Sequence, residues 1–274
     1  MRTVFGFFLT AVLGISFLTC GGTRPGTEGK LYIIGTGAGD RDLLTLRAYD
    51  VIRKCDAFIG GEDIVKKLAS DIGSRPVIFD PFLQLPRFYR KKYPNVSEKE
   101  SVIAAEALYK KDMALLARLL GEGKAVGLLE PGDPVLYGGW RNWVFPHVNK
   151  ESIEVISGIS SFSAAGALFR DGSLTEGSVV LTEPVSLEKN RLMVKGAAEN
   201  GDTLVIFMAL DRMEKTVRAL KRYFPGNTPA HIVYDAGVTG KEKKISTDLQ
   251  GLERAAKSNS ESKLGLVFIG RHLK

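Results

Sequence analysis

Cysteine and histidine are scarce in this sequence, and their scarcity limits the chemistry that the chain can perform. The 274 residues include two cysteines, Cys20 and Cys55, and three histidines that are far apart, His147, His231 and His272. One cysteine lies in an N-terminal leader, which excludes a disulfide framework, and no metal-ligand spacing is present. We therefore expect no metal site and no catalytic cluster built on histidine.

Dense clusters of one charge are also rare. Lys and Arg number 38 against 31 Asp and Glu, which gives a net charge of +7, and only residues 87–92 (Arg-Phe-Tyr-Arg-Lys-Lys) are densely basic. Aromatic residues among basic ones can indicate nucleic-acid binding, but we interpret this segment as a solvated loop and expect no nucleic-acid partner. The positive excess suits an acidic substrate with many carboxylates, or an anionic membrane surface.

The first 29 residues differ from the rest and are interpreted as a leader and spacer. Arg2 is followed by an uncharged run from Val4 to Cys20 and by the glycine-rich residues 21–29. This order is typical of an export signal or, because glycine follows Cys20, of a lipoprotein signal. We expect residues 1–20 to direct the chain to a membrane. An uncleaved anchor is one alternative, and a true start near Gly29, giving a cytoplasmic protein, is another.

The stretch from Lys30 to Thr45 organises the remaining chain. Its apolar run, Leu31 to Ile34, predicts a strand that is buried on both faces. Gly35, Gly37 and Gly39 follow the strand, and glycine lets a ligand lie close against the backbone. The stretch therefore predicts a strand, a glycine loop that can hold a ligand, and the start of a helix.

The same loop does not fit a dinucleotide site. Its glycines follow the pattern G-x-G-x-G, whereas nicotinamide and flavin sites use G-x-G-x-x-G with an acidic residue that ends the next strand. The acidic residue at the right distance, Asp56, precedes the second predicted strand. Asp40 or Asp42 is instead expected to cap the following helix.

Four further loops follow apolar runs in the same way. They lie in Ala125–Gly139, Ile153–Ser161, Thr203–Leu210 and His231–Gly240. In open α/β sheets, ligands bind beyond the carboxyl ends of the strands. The five loops are therefore predicted to line one cleft.

Alternating strand and helix patterns predict an α/β protein with a leader (1–29), an N-terminal domain (30–171) and a C-terminal domain (172–274). The N-terminal sheet is expected to be mostly parallel. Lys243–Thr247 follows a strand and a glycine turn, so a hairpin is expected there and the C-terminal sheet should be mixed. The ligand cleft is expected between the domains.

The individual elements can be predicted as well. Strands are expected at Leu31–Ile34, Ala57–Ile59, Pro76–Phe79, Ala125–Leu129, Ile153–Ile156, Ser178–Leu181, Thr203–Met208, Ala230–Tyr234, Lys243–Thr247 and Leu264–Gly270. Helices are expected at Glu62–Ser70, Trp140–Phe145, Phe162–Phe169, Leu187–Glu199, Met213–Tyr223 and Leu249–Lys257, with a further one opened by the capping-box pattern Ser97–Glu100. Residues 80–95, rich in proline and aromatics, are expected to form a loop.

Taken together, the five loops resemble those of the tetrapyrrole (corrin and porphyrin) methylase family, over Lys30 to about Gly270. The resemblance implies S-adenosylmethionine as cofactor and a homodimer. Carried over residue by residue, it implies a cofactor site made of Gly37, Ala38, Gly39, Pro131, Gly132, Asp133, Leu136, Ser160, Ser161, Met208 and Gly237. Ala38 stands where many members of the family have proline.

The resemblance does not identify a catalytic base. The uroporphyrinogen-III methylases carry Tyr-Asp-Arg after the second strand, where this chain has Gly60 and Gly61 followed by Glu62 and Asp63. The lysine that those enzymes carry after the third strand is missing too, and the glycine pair is more similar to the later corrin-ring methylases. Glu62 or Asp63 is a candidate base, but acidic residues also favour a helix N-terminus for structural reasons.

The activity implied by the resemblance is C-methylation of a tetrapyrrole, a corrin or porphyrin precursor as in cobalamin or sirohaem biosynthesis. The leader favours an alternative, because S-adenosylmethionine is made in the cytoplasm. That alternative is a membrane-tethered, non-catalytic module that binds a tetrapyrrole or a nucleoside. A third possibility is methylation of ribosomal RNA or of a modified protein histidine, as in other relatives of this fold.

Overall fold

The computed structural model describes residues 29–144, 146–262 and 264–274. Within these ranges the chain forms two five-stranded sheets with helices packed against them. The predicted leader and Cys20 lie outside the described residues. Among the helices that are described, none has both the length and the apolar character needed to cross a membrane.

The first sheet is entirely parallel, as predicted for the N-terminal half. Its strands are β1 (Lys30–Gly35), β2 (Ala57–Ile59), β3 (Val77–Phe79), β4 (Ala125–Glu130) and β5 (Ile153–Ile156). They lie in the order β3-β2-β4-β1-β5, so β1 and β4 are central. The connection that leaves β1 leads towards β2, whereas the connection that leaves β4 leads towards β5 on the other side, so the switch point where α/β sheets bind ligands lies between β1 and β4.

Helices cover both faces of this sheet. They are α1 (Leu46–Ile52), α2 (Glu62–Lys67), α3 (Ala69–Ile72), α4 (Pro86–Lys92), α5 (Glu98–Gly121), α6 (Arg141–Val144) and α7 (Ser161–Gly166). One face packs Ile33 and Leu128 against Leu116 of α5, and the other packs Ile34 and Leu129 among residues of α1 and α2. Burial on both faces explains why these strands are apolar runs rather than alternating patterns.

The second sheet is mixed, as predicted. Its strands are β6 (Val179–Thr182), β7 (Thr203–Ile206), β8 (Pro229–Tyr234), β9 (Lys243–Asp248) and β10 (Gly265–Ile269), in the order β6-β7-β10-β8-β9. Only β6 and β7 are parallel, and the predicted hairpin is the antiparallel pair β8–β9. Its helices are α8 (Pro184–Lys189), α9 (Arg191–Asn200), α10 (Met213–Leu220) and α11 (Leu252–Lys257).

The proposed boundary between the domains, at residues 171 and 172, stays a prediction. Ala165 and Phe169 precede that boundary, yet both pack with Val205 and Phe268 in the core of the second sheet. The link between α7 and β6 is therefore held by the C-terminal half as well as by the N-terminal half.

The loop predicted for residues 80–95 is wrong, because the segment contains a 3-10 helix (Pro81–Gln84) and α4. Each begins with a proline in its first turn, where proline costs no hydrogen bond and favours the helical φ. A segment rich in proline can therefore be helical when each proline occupies the start of a helix. The capping box of Ser97 and Glu100, by contrast, is confirmed.

Three predicted helix boundaries are also wrong. The predicted helix Leu187–Glu199 is two helices, because Asn190 accepts a hydrogen bond from the amide of Met193 at 3.2 Å and so starts α9. Glu62–Ser70 is likewise divided at Leu68, which lies between α2 and α3. The first helix is capped by Thr45, whose hydroxyl accepts from Ala48 at 3.1 Å, and not by Asp40 or Asp42.

Candidate active site

The loops that follow β1 and β4 are joined directly to each other. The amide of Gly37 donates to the carbonyl oxygen of Gly132 at 3.2 Å, and the amide of Gly132 donates back to Gly37 at 3.1 Å. Both glycines have positive φ, 73° and 70°, which a residue with a side chain rarely adopts. Two predicted cofactor loops thus form one unit at the carboxyl edge of the first sheet.

The loop that follows β8 reaches this unit from the other half of the chain. The amide of Asp40 donates to the carbonyl oxygen of Gly237 at 2.8 Å, and the Asp40 carboxylate accepts from the amide of Thr239 at 2.8 Å. The backbone bond from Thr239 is the main reason why the pKa of Asp40 lies below its usual value. Asp40 therefore joins the two halves rather than capping a helix.

The loop that follows β5 closes the third side. The amide of Ala38 donates to the carbonyl oxygen of Ile159 at 3.0 Å. Ser160 is buried and caps α7, because its hydroxyl accepts from the amide of Ser163 at 3.2 Å. Ser161 is the first residue of α7, so it lies at the same helix start.

A narrow opening remains between this helix start and Gly132. A Cβ atom built on Gly132 would meet only the amide nitrogen of Ser161, at 3.8 Å. Pro131 beside it is exposed, and Asp133 folds back so that its carboxylate accepts from the amide of Val135 at 3.1 Å. Leu136 continues the turn by donating its amide to the carbonyl oxygen of Asp133.

Met208 is presented to solvent instead of joining the core. It follows β7 with a φ of +54°, and 58% of its surface is exposed. Its neighbour Phe207 contacts the ring of Tyr137, with ring centroids 4.9 Å apart. Tyr137 belongs to the loop after β4, so the end of β7 lies beside that loop.

Two acidic residues considered as catalytic bases lie at a surface helix start. Glu62 and Asp63 are exposed in the first turn of α2, and Glu62 forms an ion pair with Lys66 at 2.8 Å. The hydrogen bond with Lys66 lowers the pKa of Glu62 below its usual value. The structure thus places both carboxylates in the first turn of a surface helix, pairs Glu62 with Lys66, and does not place either among the joined loops.

Sequence reasoning missed Lys67, which anchors the first loop. Its ammonium donates to the carbonyl oxygens of Thr36 and Gly37 at 3.0 and 3.2 Å, and lies 3.3 Å from the Thr36 hydroxyl. Burial lowers the pKa of Lys67 below its usual value. A lysine at the end of a short helix pattern carries no sequence signal for such a contact.

Sequence reasoning also missed Glu130, the last residue of β4. It is half-buried, and its backbone carbonyl accepts from both the amide and the hydroxyl of Thr36, at 2.8 and 3.0 Å. Burial raises the pKa of the Glu130 carboxyl from 4.5 to about 7. Its signal in the sequence is a charged residue at the end of a buried run, directly before Pro131.

These features fit S-adenosylmethionine better than a phosphate-bearing cofactor. That molecule has no phosphate, and it calls for backbone polar groups, hydroxyls and apolar walls around a sulfonium. The opening above Gly132, the serine pair at α7 and the exposed Met208 are groups of this kind. When bound, the cofactor supplies an electrophilic methyl group.

The sequence of this chain is similar to those of known proteins. The model of a family described as "Tetrapyrrole (Corrin/Porphyrin) Methylases" matches residues 30–253. The cobalt-precorrin-4 C(11)-methyltransferase of Methanocaldococcus jannaschii is 25% identical over 254 residues, which cover 89% of this chain and 88% of that protein.

Solved structures agree in fold. A cobalt precorrin-4 methyltransferase of cobalamin biosynthesis superposes with a TM-score of 0.68 at 22% identity, covering 93% of this chain and all of that one. A uroporphyrin-III C-methyl transferase from Thermus thermophilus, complexed with S-adenosylhomocysteine, superposes with a TM-score of 0.60 at 20% identity, covering 89% and 98%.

Proposed function

This chain belongs to the tetrapyrrole (corrin/porphyrin) methylase family, and we propose that it methylates a ring carbon of a corrin or porphyrin precursor. It is an S-adenosylmethionine-dependent methyltransferase, as its family is. The observation that carries the proposal is the meeting of the predicted cofactor loops around Gly37, Gly132 and Gly237 at one edge of the first sheet.

The acidic nature of such precursors supports this choice of substrate. The relatives named above act on cobalt-precorrin-4 and uroporphyrin-III. Helix α4, which was expected to be a loop, starts shortly after the carboxyl end of β3 and ends with Arg90, Lys91 and Lys92. Lys92 is close enough to influence Asp80, at that strand end. Positive charge beside the cleft suits a ring that carries many carboxylates.

In this proposal, the main contribution of the chain is to position the methyl donor and the acceptor. Methyl transfer is an in-line displacement, and holding the donor and acceptor in line can supply about 7–11 kcal/mol of the barrier. The paired hydrogen bonds of Gly37 and Gly132 hold the loops after β1 and β4 together. The Lys67 ammonium fixes the first of these loops by binding two of its carbonyl oxygens. The opening above Gly132 would receive the donor, with Met208 bordering it from the C-terminal half and Tyr137 from the loop after β4.

The proposal is tested by incubating the full-length chain with methyl-labelled S-adenosylmethionine and a panel of corrin and porphyrin precursors. We expect label in at least one precursor. Calorimetry with S-adenosylhomocysteine is run in parallel to separate donor binding from transfer. Binding without label in any precursor would contradict the substrate class, and a folded sample without binding would contradict the donor site.

Two further parts of the proposal concern assembly and location. The family resemblance supports a homodimer, which sedimentation velocity would test through the mass of the full-length chain in solution. The uncharged run after Arg2 supports membrane association through residues 1–20. The fractionation experiment in the Discussion tests that part.

A further inference from the structure

Glu130 is the last residue of β4, so it lies at the carboxyl edge of the first sheet. Strand alternation puts it on the same face as Leu128, the face that packs against α5. Its partner in β1 is Gly35. Ile59 of β2 pairs with Leu128, and a Cβ atom on Gly60 would lie 3.4 Å from Cβ of Leu129, so continuing this register past the end of β2 sets Gly61 opposite Glu130. The carboxylate is thus flanked by glycine on both sides.

Apolar groups close in over these glycines. A Cβ atom on Gly61 would lie 3.0 Å from the ring of Phe82, and one on Gly35 would lie 2.7 Å from Cδ of Pro134. The indole of buried Trp140 donates to the carbonyl oxygen of Pro134 at 3.0 Å, which holds the proline in place. Phe82 and Pro134 therefore lie beside the two glycines that neighbour Glu130 at this strand end.

Within the part of the chain that the structure describes, the Glu130 carboxylate has no hydrogen bond and no ion pair. Charged residues on the elements at this edge of the sheet include Lys67, Asp80 and Asp133. Lys67 belongs to a helix on the opposite face and donates to the first loop, and burial is the only cause of the raised Glu130 pKa. A carboxyl that titrates near neutral pH in a cleft is well matched to accepting protons.

We propose that Glu130 is the general base of the methyl transfer, an inference that rests on the proposed function. The new bond joins the methyl carbon to the ring carbon, and the carbon–sulfur bond breaks with its electron pair remaining on sulfur. The ring then gives up one proton, which the Glu130 carboxylate accepts. Glu130 directly precedes Pro131 and Gly132, so the base and the donor loop are held by the same strand end.

Asp80 is another half-buried carboxyl near this edge, and it is less suited to the task. It follows β3 at the edge of the sheet, and burial raises its pKa as well. Its carboxylate, however, accepts from the amide of Phe82 at 2.9 Å, and Lys92 favours its ionised form. Asp80 is therefore engaged in holding the turn that carries Phe82.

The kinetic test compares Glu130→Gln, Asp80→Asn and the control Glu154→Gln with the unmodified chain between pH 5 and 9. Glu154 lies in β5 and pairs with Arg47 at 2.9 Å, away from the cleft. The unmodified chain should gain activity up to about pH 7. In Glu130→Gln, kcat should fall about 100-fold or more and should no longer increase with pH, while the affinity for S-adenosylhomocysteine stays unchanged. The proposal would be overturned if Glu130→Gln kept the kcat and the pH profile of the unmodified chain. It would also be overturned if only Asp80→Asn lost the increase of kcat with pH.

A second measurement does not depend on turnover. Carbon NMR of the full-length chain labelled at the glutamate carboxyl carbons should show one resonance that titrates near pH 7, absent in Glu130→Gln and present in Glu154→Gln. A Glu130 resonance that titrates near 4.5 would overturn the proposal even if no precursor is methylated. Transfer by the unmodified chain together with such a value would refute the base alone and leave the proposed function standing.

Discussion

Gly39 and Gly237 are packed so closely that a Cβ atom on Gly39 would lie 2.1 Å from the carbonyl oxygen of Gly237. The two residues lie in loops that follow strands of different sheets, and 198 positions separate them (237 − 39). The same carbonyl accepts the amide of Asp40 at 2.8 Å. The contact sets the distance between the two halves of the cleft.

Gly39→Ala should therefore weaken S-adenosylhomocysteine binding by at least about tenfold, because the halves must separate to admit a methyl group. Part of any effect will come from the positive φ of Gly39, +84°. Gly240→Ala is the matched control, since Gly240 has a φ of +75° and nothing within 4 Å of a built Cβ. Calorimetry on both variants would contradict the argument if their affinities were equally reduced.

The strands of this fold could be predicted because burial on both faces makes them continuous apolar runs, as in Leu31–Ile34. The cofactor loops could be predicted because glycine, proline and serine follow those runs directly. The start of α4 could not be predicted by treating Pro86 as a breaker, since the same residue begins a helix once the preceding turn is formed.

Asp40 and Glu130 have properties that could not be predicted from the sequence for a second reason. Asp40 was expected to cap a helix, but a backbone amide 199 residues away binds its carboxylate in the folded chain. Glu130 has its unusual environment because the register places Gly35 beside it in β1 and because Gly61 follows the end of β2. Both properties depend on contacts between distant segments, which local sequence patterns do not contain.

Lys67→Met should destabilise the chain and weaken donor binding. The substitution removes the ammonium that binds the carbonyl oxygen of Thr36, at a cost of about 1–3 kcal/mol, and leaves the carbonyl oxygen of Gly37 with the amide of Gly132 alone. Lys66→Met is a matched control, because its neighbouring ammonium only pairs with exposed Glu62, and such pairs contribute little. Urea unfolding and calorimetry would check both variants. Equal losses in the two would contradict the anchoring role of Lys67.

His231 should make the chain sensitive to acid. It is buried, lies 3.0 Å from the Ser246 hydroxyl, and burial followed by nearby Lys244 lowers its pKa from 6.5 to about 4. As pH falls from 6.5 to 4, the unfolded chain takes up a proton that the folded chain refuses, so stability falls by up to about 3 kcal/mol.

The corresponding variant is His231→Asn, which keeps a polar group near Ser246 but does not titrate. Its unfolding free energy should be lower than that of the unmodified chain at pH 7, because the smaller side chain leaves a cavity. The gap between the two should narrow as pH falls to 4. A gap that is constant across this range in urea titrations would show that His231 does not titrate as described.

Fractionation of cells that express the full-length chain should recover it with the membranes. The expectation rests on the uncharged run between Val4 and Cys20. Mass analysis of the mature N-terminus distinguishes cleavage before Cys20 from an uncleaved anchor, and Cys20→Ser removes the lipidation site only. Recovery of all of the protein in the soluble fraction, starting near Gly29, would refute membrane association.

Glu130→Gln should stabilise the chain at alkaline pH. Because burial raises the pKa of Glu130 from 4.5 to about 7, the folded chain keeps a proton that the unfolded chain releases in this window. Stability is therefore lost as pH rises from 4.5 to 7, by on the order of 3 kcal/mol, and the loss persists above pH 7. Glutamine has nearly the same shape and carries no charge, so the variant escapes this loss.

The opposite titration of His231 overlaps this window but is common to both proteins, so it cancels in the difference between them. Melting temperatures of Glu130→Gln and the unmodified chain should agree at pH 4.5. At pH 8 the variant should melt several degrees higher, since 1 kcal/mol corresponds to about 2–4 °C for a chain of this size. Glu154→Gln, whose carboxylate is partly exposed and paired with Arg47, should show no such pH-dependent gain. A difference that is the same at both pH values would mean that the pKa of Glu130 is not raised in the folded chain, and it would remove the carboxyl from consideration as a base.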